Sequence, residues 1–291
     1  MNNLQKVITR DGSLSLRSDK FKENFHSLFG ALDETKNKFI DPSRIERFKN
    51  KSLNVLDICF GLGYNSAFLF NELINQSSYL RWYGLEIDKR PLSYALNEKV
   101  FKKLWDLKVI EILKKLYITS KFKNKYFNCE LIYGDARNKI ESIPIEIKFD
   151  LIFLDGFSPQ RCPEMWSFEF LSKLKNKIKD EGLLITYTSS AAVRKSLKSL
   201  GLNIFNIKPS PSNKNLWSNG TLATLDNIKN NPFIAELTEM EKDHLKTKAS
   251  VPYRDPEGIL LSHEILEIRK KEQQFSKLLE TNLWRKKWGM A

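Results

Sequence analysis

The sequence predicts an α/β fold organised on a mostly parallel, seven-stranded sheet with an antiparallel edge strand, and three observations carry that expectation. Short apolar runs alternate with amphipathic stretches between residues 51 and 226, the pattern of strands buried on both faces and connected by helices. The first run breaks into a glycine turn that opens a helix. The last two runs lack a helix-length connection, so they pair antiparallel at one edge.

Taken in order, residues 53–60 read as the first strand, running into Gly61-Leu62-Gly63 and a helix through Ser66-Ala67-Phe68-Leu69-Phe70. Residues 80–87, 130–133, 149–154 and 183–187 read as the second to fifth strands. A helix over residues 191–200 stops at Gly201, which suits a C-terminal cap. Residues 202–207 and 221–225 supply the antiparallel pair. Three segments fall outside this core: an N-terminal extension over 1–50, expected to pack on it; a Lys-rich, aromatic insertion over 101–128; and a charged, largely helical tail over 227–291. Residues 263–280 are rich in strong helix formers, and the tail's aromatics are expected to pack on the domain.

Composition bounds the function classes. A hydrophobic content of 41% with 12% aromatic residues across 291 residues supports a packed core and excludes wholesale disorder. Lys and Arg number 48 against 35 Asp and Glu, a net charge of +13 that directs attention to polyanionic partners, although a bias towards Lys and Asn accounts for part of it. No apolar run approaches the roughly 18 residues of a membrane span, and the opening Met1-Asn2-Asn3-Leu4-Gln5 is polar, so a cytoplasmic protein is expected. Cys59, Cys129 and Cys162 are widely spaced, and His26, His244 and His263 are scattered, so neither a disulfide framework nor a metal site is expected.

The chemistry is concentrated at the strand ends. Asp57 lies at the first strand, Glu86 ends the second, Asp135 follows the third and Asp155 ends the fourth. Parallel strands point the same way, so these carboxylates are expected to converge on the crevice where open α/β sheets bind ligands. An acidic crevice in a basic protein repels a pyrophosphate and suits a ligand with positive charge and free hydroxyls. S-adenosylmethionine has both. Gly61 and Gly63 then allow close backbone approach, Asp57 supports the turn or the amino-acid end, Glu86 accepts from the ribose hydroxyls and Asp135 from the adenine amine. Asp155, in Asp155-Gly156-Phe157-Ser158-Pro159, is placed to hold an acceptor amine and take its proton, and Phe157 to pack against a planar base.

These residues resemble a known family. Phe60-Gly61-Leu62-Gly63-Tyr64-Asn65, Glu86-x-Asp88-Lys89-x-Pro91-Leu92, Gly134-Asp135-Ala136-Arg137, and Asp155-Gly156-Phe157-Ser158-Pro159 with Pro163-Glu164-Met165-Trp166 are similar to the methyltransferase domain of the MnmC family. The likeness extends to Asp11-Gly12-Ser13, Phe25-His26-Ser27, Leu32-Asp33-Glu34-Thr35, the run from Thr186 to Arg194, Asn219-Gly220-Thr221 and Pro252-Tyr253-Arg254-Asp255-Pro256. The resemblance implies a Rossmann-like class I methyltransferase sheet, S-adenosyl-L-methionine as donor, and as acceptor the exocyclic amine of an aminomethyl uridine in a tRNA anticodon loop. It implies that Asp155 serves the amine and that Phe157, Pro159, Met165 and Trp166 line the acceptor pocket. The acidic residue beside the family's Pro-Leu pair corresponds to Glu86 or Asp88, and Glu86 is favoured because it ends the strand. Nothing in the sequence supplies a second dinucleotide site for the fused FAD-dependent oxidase of larger members, so a separate enzyme is expected to supply the aminomethyl uridine.

Two other classes fit parts of this pattern: a polyamine-synthase-like transferase acting on a small amine, and a catalytically silent RNA-binding protein of the same fold. The glycine turn is leaner than polyamine synthases use, and a pure binder has little use for four carboxylates at one edge. For RNA, the candidate phosphate contacts are Arg161, Arg194, Lys195 and Lys198, with Arg285-Lys286-Lys287 in the tail.

Overall fold

The computed structural model describes residues 3–209, 218–228 and 230–290. Twelve strands form among them: β1 (Leu4–Ile8), β2 (Leu14–Ser18), β3 (Glu23–Asn24), β4 (Ser52–Ile58), β5 (Tyr79–Glu86), β6 (Lys121–Lys123), β7 (Phe127–Tyr133), β8 (Phe149–Leu154), β9 (Ile178–Thr186), β10 (Asn203–Ile207), β11 (Gly220–Thr224) and β12 (Ile234–Ala235). The first three make a small antiparallel sheet. The other nine form one sheet in the order β12-β10-β11-β9-β8-β4-β5-β7-β6.

Strands β7, β5, β4, β8 and β9 run parallel. Their apolar runs are buried on both faces: Val55, Leu56, Ile58, Leu151, Ile152, Phe153, Leu184 and Ile185 have no exposed surface. β11 inserts antiparallel between β9 and β10, so the expected edge pair is present with β10 outermost of the two. Where seven strands are expected there are nine, because β6 and β12 add one short antiparallel strand at each edge. β6 is Lys-Phe-Lys, and charged residues of this kind blunt an edge that would otherwise recruit another chain.

Residues 101–128, expected from sequence to be an insertion, carry the crossover from β5 to β7. A helix over Leu107–Thr119 is capped by Asp106, whose side chain accepts from the Lys108 N–H. It buries Val109, Ile110, Ile112, Leu113 and Leu116, leaving Lys108, Lys114 and Lys115 in water. At about 1.5–3 kcal/mol per buried aliphatic side chain, packing rather than propensity holds this helix. Its lysines are therefore the solvated face of a core element.

The tail is helical over Glu239–His244, Ser262–Phe275 and Thr281–Lys287, with a break at Ser276 where the sequence suggests continuity to 280. Leu279 bridges to Thr247 across that break. Trp284 is buried, stacks on His244 at 4.0 Å and donates its indole N–H to the Met240 carbonyl at 2.9 Å.

Candidate active site

Beyond the carboxyl ends of β4, β5 and β8 lies a cavity of about 760 Å³, at the place where strand order reverses. Its size is that of a ligand site holding a drug-sized molecule. Of the residues singled out from sequence, Gly61, Glu86, Asp135, Asp155, Phe157 and Met165 line it; Asp57, Gly63, Pro159 and Trp166 do not. The opposite wall is contributed by the N-terminal segment, with Phe21, Phe25, His26, Glu34 and Lys38.

One end is built on the glycine turn. Cys59 and Gly61 both take left-handed backbone, φ 63° and 57°, which folds the chain back sharply after β4. Gly63, at φ 89°, starts the helix Tyr64–Leu73, and a β-carbon there would come within 2.6 Å of the Phe60 ring. Glu86 holds the turn in place. Its carboxylate accepts the N–H groups of Gly61 at 2.7 Å, Ile87 at 2.7 Å and Asp88 at 2.8 Å. Burial pushes Glu86 above its ordinary range against those three donors. A carboxylate has about four lone-pair sites, so one remains towards the cavity for a hydroxyl donor.

Asp135 follows β7 and its side chain caps the next turn by accepting from the Arg137 N–H. The Arg137 guanidinium bridges Asp135 at 2.7 Å and the fully buried Asp255 at 2.6 Å, and also donates to the Leu260 carbonyl at 2.9 Å. Burial raises the Asp135 carboxyl, but the Arg137 hydrogen bonds outweigh it and hold the group below the usual carboxylate range. The wall of this end is thus tied to the C-terminal segment, a connection that sequence spacing does not reveal.

Asp57 is displaced from the expected crevice. It is the penultimate residue of β4 rather than its last, has no exposed surface and accepts from the Ser66 hydroxyl at 2.5 Å. Burial raises it to about 7. Its second oxygen and the Asn65 amide oxygen are buried without a hydrogen-bond partner, so the floor under the turn keeps acceptor capacity for a cationic donor. The residues present fit S-adenosyl-L-methionine: the Glu86 and Asp135 carboxylates and the close backbone of the Gly61 turn line one end of the cavity.

At the other end, Asp155 sits just past β8, and its carboxylate accepts from the Asn65 amide at 2.9 Å. Burial first, then the nearby charge of Glu34, raises it to about 8. Glu34 is held ionised by Lys38 at 2.5 Å and accepts the Ser27 N–H at 2.6 Å. His26 is pushed down to about 4 by burial and stays neutral. Phe157 stacks on Phe21, with centroids 4.3 Å apart, and meets Phe25 edge-on at 4.9 Å. The fully buried Trp166 fixes this loop from behind, donating its indole N–H to the Phe157 carbonyl at 2.8 Å, while Glu23 accepts the Ser158 N–H at 2.9 Å. Pro159 is buried in the loop, and Met165 packs beside Gly156. The arrangement places an aromatic cluster in the same cavity as a carboxyl of raised pKa and a neutral histidine.

One RNA-contact expectation is corrected. Arg194 is 1% exposed and paired with Glu241 at 2.7 Å, with further donation to Thr221, Ser218 and the Gly220 carbonyl. It is a buried cross-link between the core and the tail, not a phosphate contact. Arg161, Lys195, Lys198, Arg285, Lys286 and Lys287 are exposed, although Lys287 pairs with Asp243 at 2.5 Å. Among the described residues no group of three or more His, Cys, Asp or Glu is placed to hold a metal ion, and no helix is long and apolar enough to cross a membrane.

A family described as "S-adenosyl-L-methionine-dependent methyltransferase" matches residues 98–222. An uncharacterised protein of Methanocaldococcus jannaschii is 30% identical over 277 residues, covering 92% of this chain and 72% of that protein. The tRNA 5-methylaminomethyl-2-thiouridine biosynthesis bifunctional protein MnmC of Leptospira borgpetersenii is 28% identical over 203 residues, 64% of this chain, and the match spans 30% of that relative's length. The crystal structure of MNMC2 from Aquifex aeolicus superposes with a TM-score of 0.80 at 28% identity, covering 94% of this chain and 86% of that one.

Proposed function

The chain belongs to the MnmC family of S-adenosyl-L-methionine-dependent methyltransferases, and from that premise we propose that it methylates the exocyclic amine of 5-aminomethyl-(2-thio)uridine at the wobble position of tRNA. The observation that carries this reading is Asp155, a half-buried carboxyl raised to about 8, which lines one cavity with Glu86, Asp135 and the aromatic cluster of Phe157, Phe21 and Phe25. Bound S-adenosyl-L-methionine supplies a methyl carbon on a sulfonium, open to in-line attack. Glu86 receives the ribose hydroxyls, Asp135 the adenine amine, and the Gly61–Gly63 turn with Asp57 beneath it the amino-acid end.

An alkylammonium acceptor has no lone pair and cannot attack. Asp155 holds it, accepts one N–H proton at a carboxylate oxygen and leaves a neutral amine aimed at the methyl carbon. A base whose titration lies close to that of the amine exchanges the proton with little free-energy penalty, an effect typically worth about 10²–10⁴-fold in rate. Asn65 keeps the carboxylate oriented. The uridine ring packs against Phe157, and an unpaired loop base can be extruded into such a pocket. The relatives named as bifunctional MnmC support tRNA as the partner.

Isothermal titration with S-adenosyl-L-methionine and transfer of labelled methyl to tRNA carrying 5-aminomethyluridine separate the roles. Asp155→Ala keeps cofactor affinity within a few-fold and loses transfer. Retained transfer contradicts the assignment, and methylation of putrescine in place of tRNA favours a small-amine transferase.

A further inference from the structure

The turn between β2 and β3 is unexplained by cofactor binding. It carries Lys20, Phe21 and Lys22, with both lysines exposed and Lys22 in left-handed backbone at φ 53°. Phe21 stacks on Phe157 at an interplanar angle of 22°, so it covers the ring face expected to receive the acceptor base. The Lys20 ammonium lies 4.9 Å from the centroid of the Phe21 ring. The turn is anchored on the acceptor loop through Glu23, which accepts the Ser158 N–H. Arg17, exposed on β2, continues the cationic line along the cavity mouth, and Asp19, the one acid in the turn, accepts from Gln5 at 3.2 Å.

We propose that this turn is a finger that grips a single-stranded RNA loop: Lys20, Lys22 and Arg17 contact the phosphates flanking an extruded uridine, and Phe21 holds the base's place on Phe157 until the base displaces it. The inference rests on the tRNA reading above. Its physical basis is the change of charge over a short distance. The cavity walls carry Glu86, Asp135, Asp155 and the Glu34–Lys38 pair, acidic on balance, while the lip carries the exposed Lys20, Lys22 and Arg17, so a polyanionic backbone is held at the lip and an aminomethyl group enters. Stacking on an aromatic ring is tolerant of base identity, and the rings at 4.3 Å leave no room for a base between them. The base therefore replaces Phe21 rather than intercalating. Lifting the finger breaks the Phe21–Phe157 stack, while Glu23 on the Ser158 N–H and the β2–β3 pairing hold its root.

The test uses the full chain and a fluorescein-labelled, unmodified anticodon stem–loop RNA, with affinity measured by anisotropy between 50 and 200 mM KCl. Neutralising both lysines in Lys20→Gln/Lys22→Gln removes two phosphate contacts, so affinity falls on the order of tenfold and the log–log salt slope becomes shallower by about 1.4. Phe21→Ala leaves RNA affinity equal or tighter, because the place on Phe157 is already vacant. Unchanged affinity and slope in the double variant, or no RNA binding by the wild type, overturns the finger. A tenfold loss in Phe21→Ala shows that Phe21 itself carries the base and overturns the displacement. Thermal melting of each variant within 2–3 °C of wild type, the shift of about 1 kcal/mol, shows that folding is intact; a variant that fails this is replaced by Lys20→Met or Lys22→Met alone, each expected to flatten the slope by about 0.7. Because the RNA is unmodified and no cofactor is present, the anisotropy measurement reads the finger alone; the methylation reading is refuted separately, by absence of transfer from S-adenosyl-L-methionine to tRNA carrying 5-aminomethyluridine by a protein that grips the stem–loop.

Discussion

Replacing Asp155 by Asn should stabilise the free protein while abolishing transfer. The carboxyl is raised to about 8 from an ordinary value of 3.8, by burial and by Glu34. A folded-state value above the unfolded one means that the fold favours the protonated acid. Stability contributed by that preference is complete below about pH 4 and is lost as pH rises towards 8. At pH 7.5 the cost is at most about 1.4 kcal/mol for each pH unit above the unfolded value; Asp155 is only half-buried, so solvent screening lowers it, and about 2 kcal/mol is the working figure. The amide introduced by Asp155→Asn keeps an oxygen to accept the Asn65 N–H and carries no charge. Differential scanning fluorimetry of the ligand-free proteins at pH 7.5 should show Asp155→Asn melting about 4–6 °C higher. The difference should shrink towards zero near pH 4 and level off above pH 8. A variant that melts at or below wild type at pH 7.5, or a difference independent of pH, refutes the claim that Asp155 is a strained acid held for function.

Removing the Glu86 carboxylate in Glu86→Ala strips the hydroxyl acceptor and frees the Gly61 N–H, so the S-adenosyl-L-methionine dissociation constant should rise about 10–100-fold by calorimetry. Asp255→Ala leaves the Arg137 guanidinium short of a buried partner and should cost about 3–5 kcal/mol in urea unfolding, with cofactor affinity weakened through Asp135. Arg194→Met should destabilise by a similar amount, since Glu241 is left buried and unpaired, yet leave the salt slope of RNA binding unchanged. A shallower slope would restore Arg194 as a phosphate contact.

The parallel core was readable because its strands are unbroken apolar runs such as residues 149–154, each followed by a turn signal. Glu86, Asp135 and Asp155 could be placed on one edge from strand direction alone. Asp57 could not, because its position one residue before the end of β4 turns on the exact point where the strand breaks at Cys59. The crossover helix carried a readable signal in Val109, Ile110, Ile112, Leu113 and Leu116 at helical spacing, masked by the lysines between them. Strands of two or three residues such as β6 and β12 have no periodicity to detect. The cavity's second wall was invisible for a different reason: Phe21, Glu34 and Lys38 reach Phe157 and Asp155 through packing between segments more than 100 residues apart. Arg194 was misplaced because a helix pattern shows which face is polar, not that Glu241 in the tail covers it.

The central claim is methyl transfer to an aminomethyl uridine. Purified protein, S-adenosyl-L-methionine and tRNA carrying 5-aminomethyluridine, followed by nucleoside mass spectrometry, test it directly. Conversion of the 5-aminomethyl nucleoside to its 5-methylaminomethyl form, a gain of one methylene in mass, is the predicted result. An unchanged nucleoside, with S-adenosyl-L-methionine shown to bind in the same preparation, contradicts it.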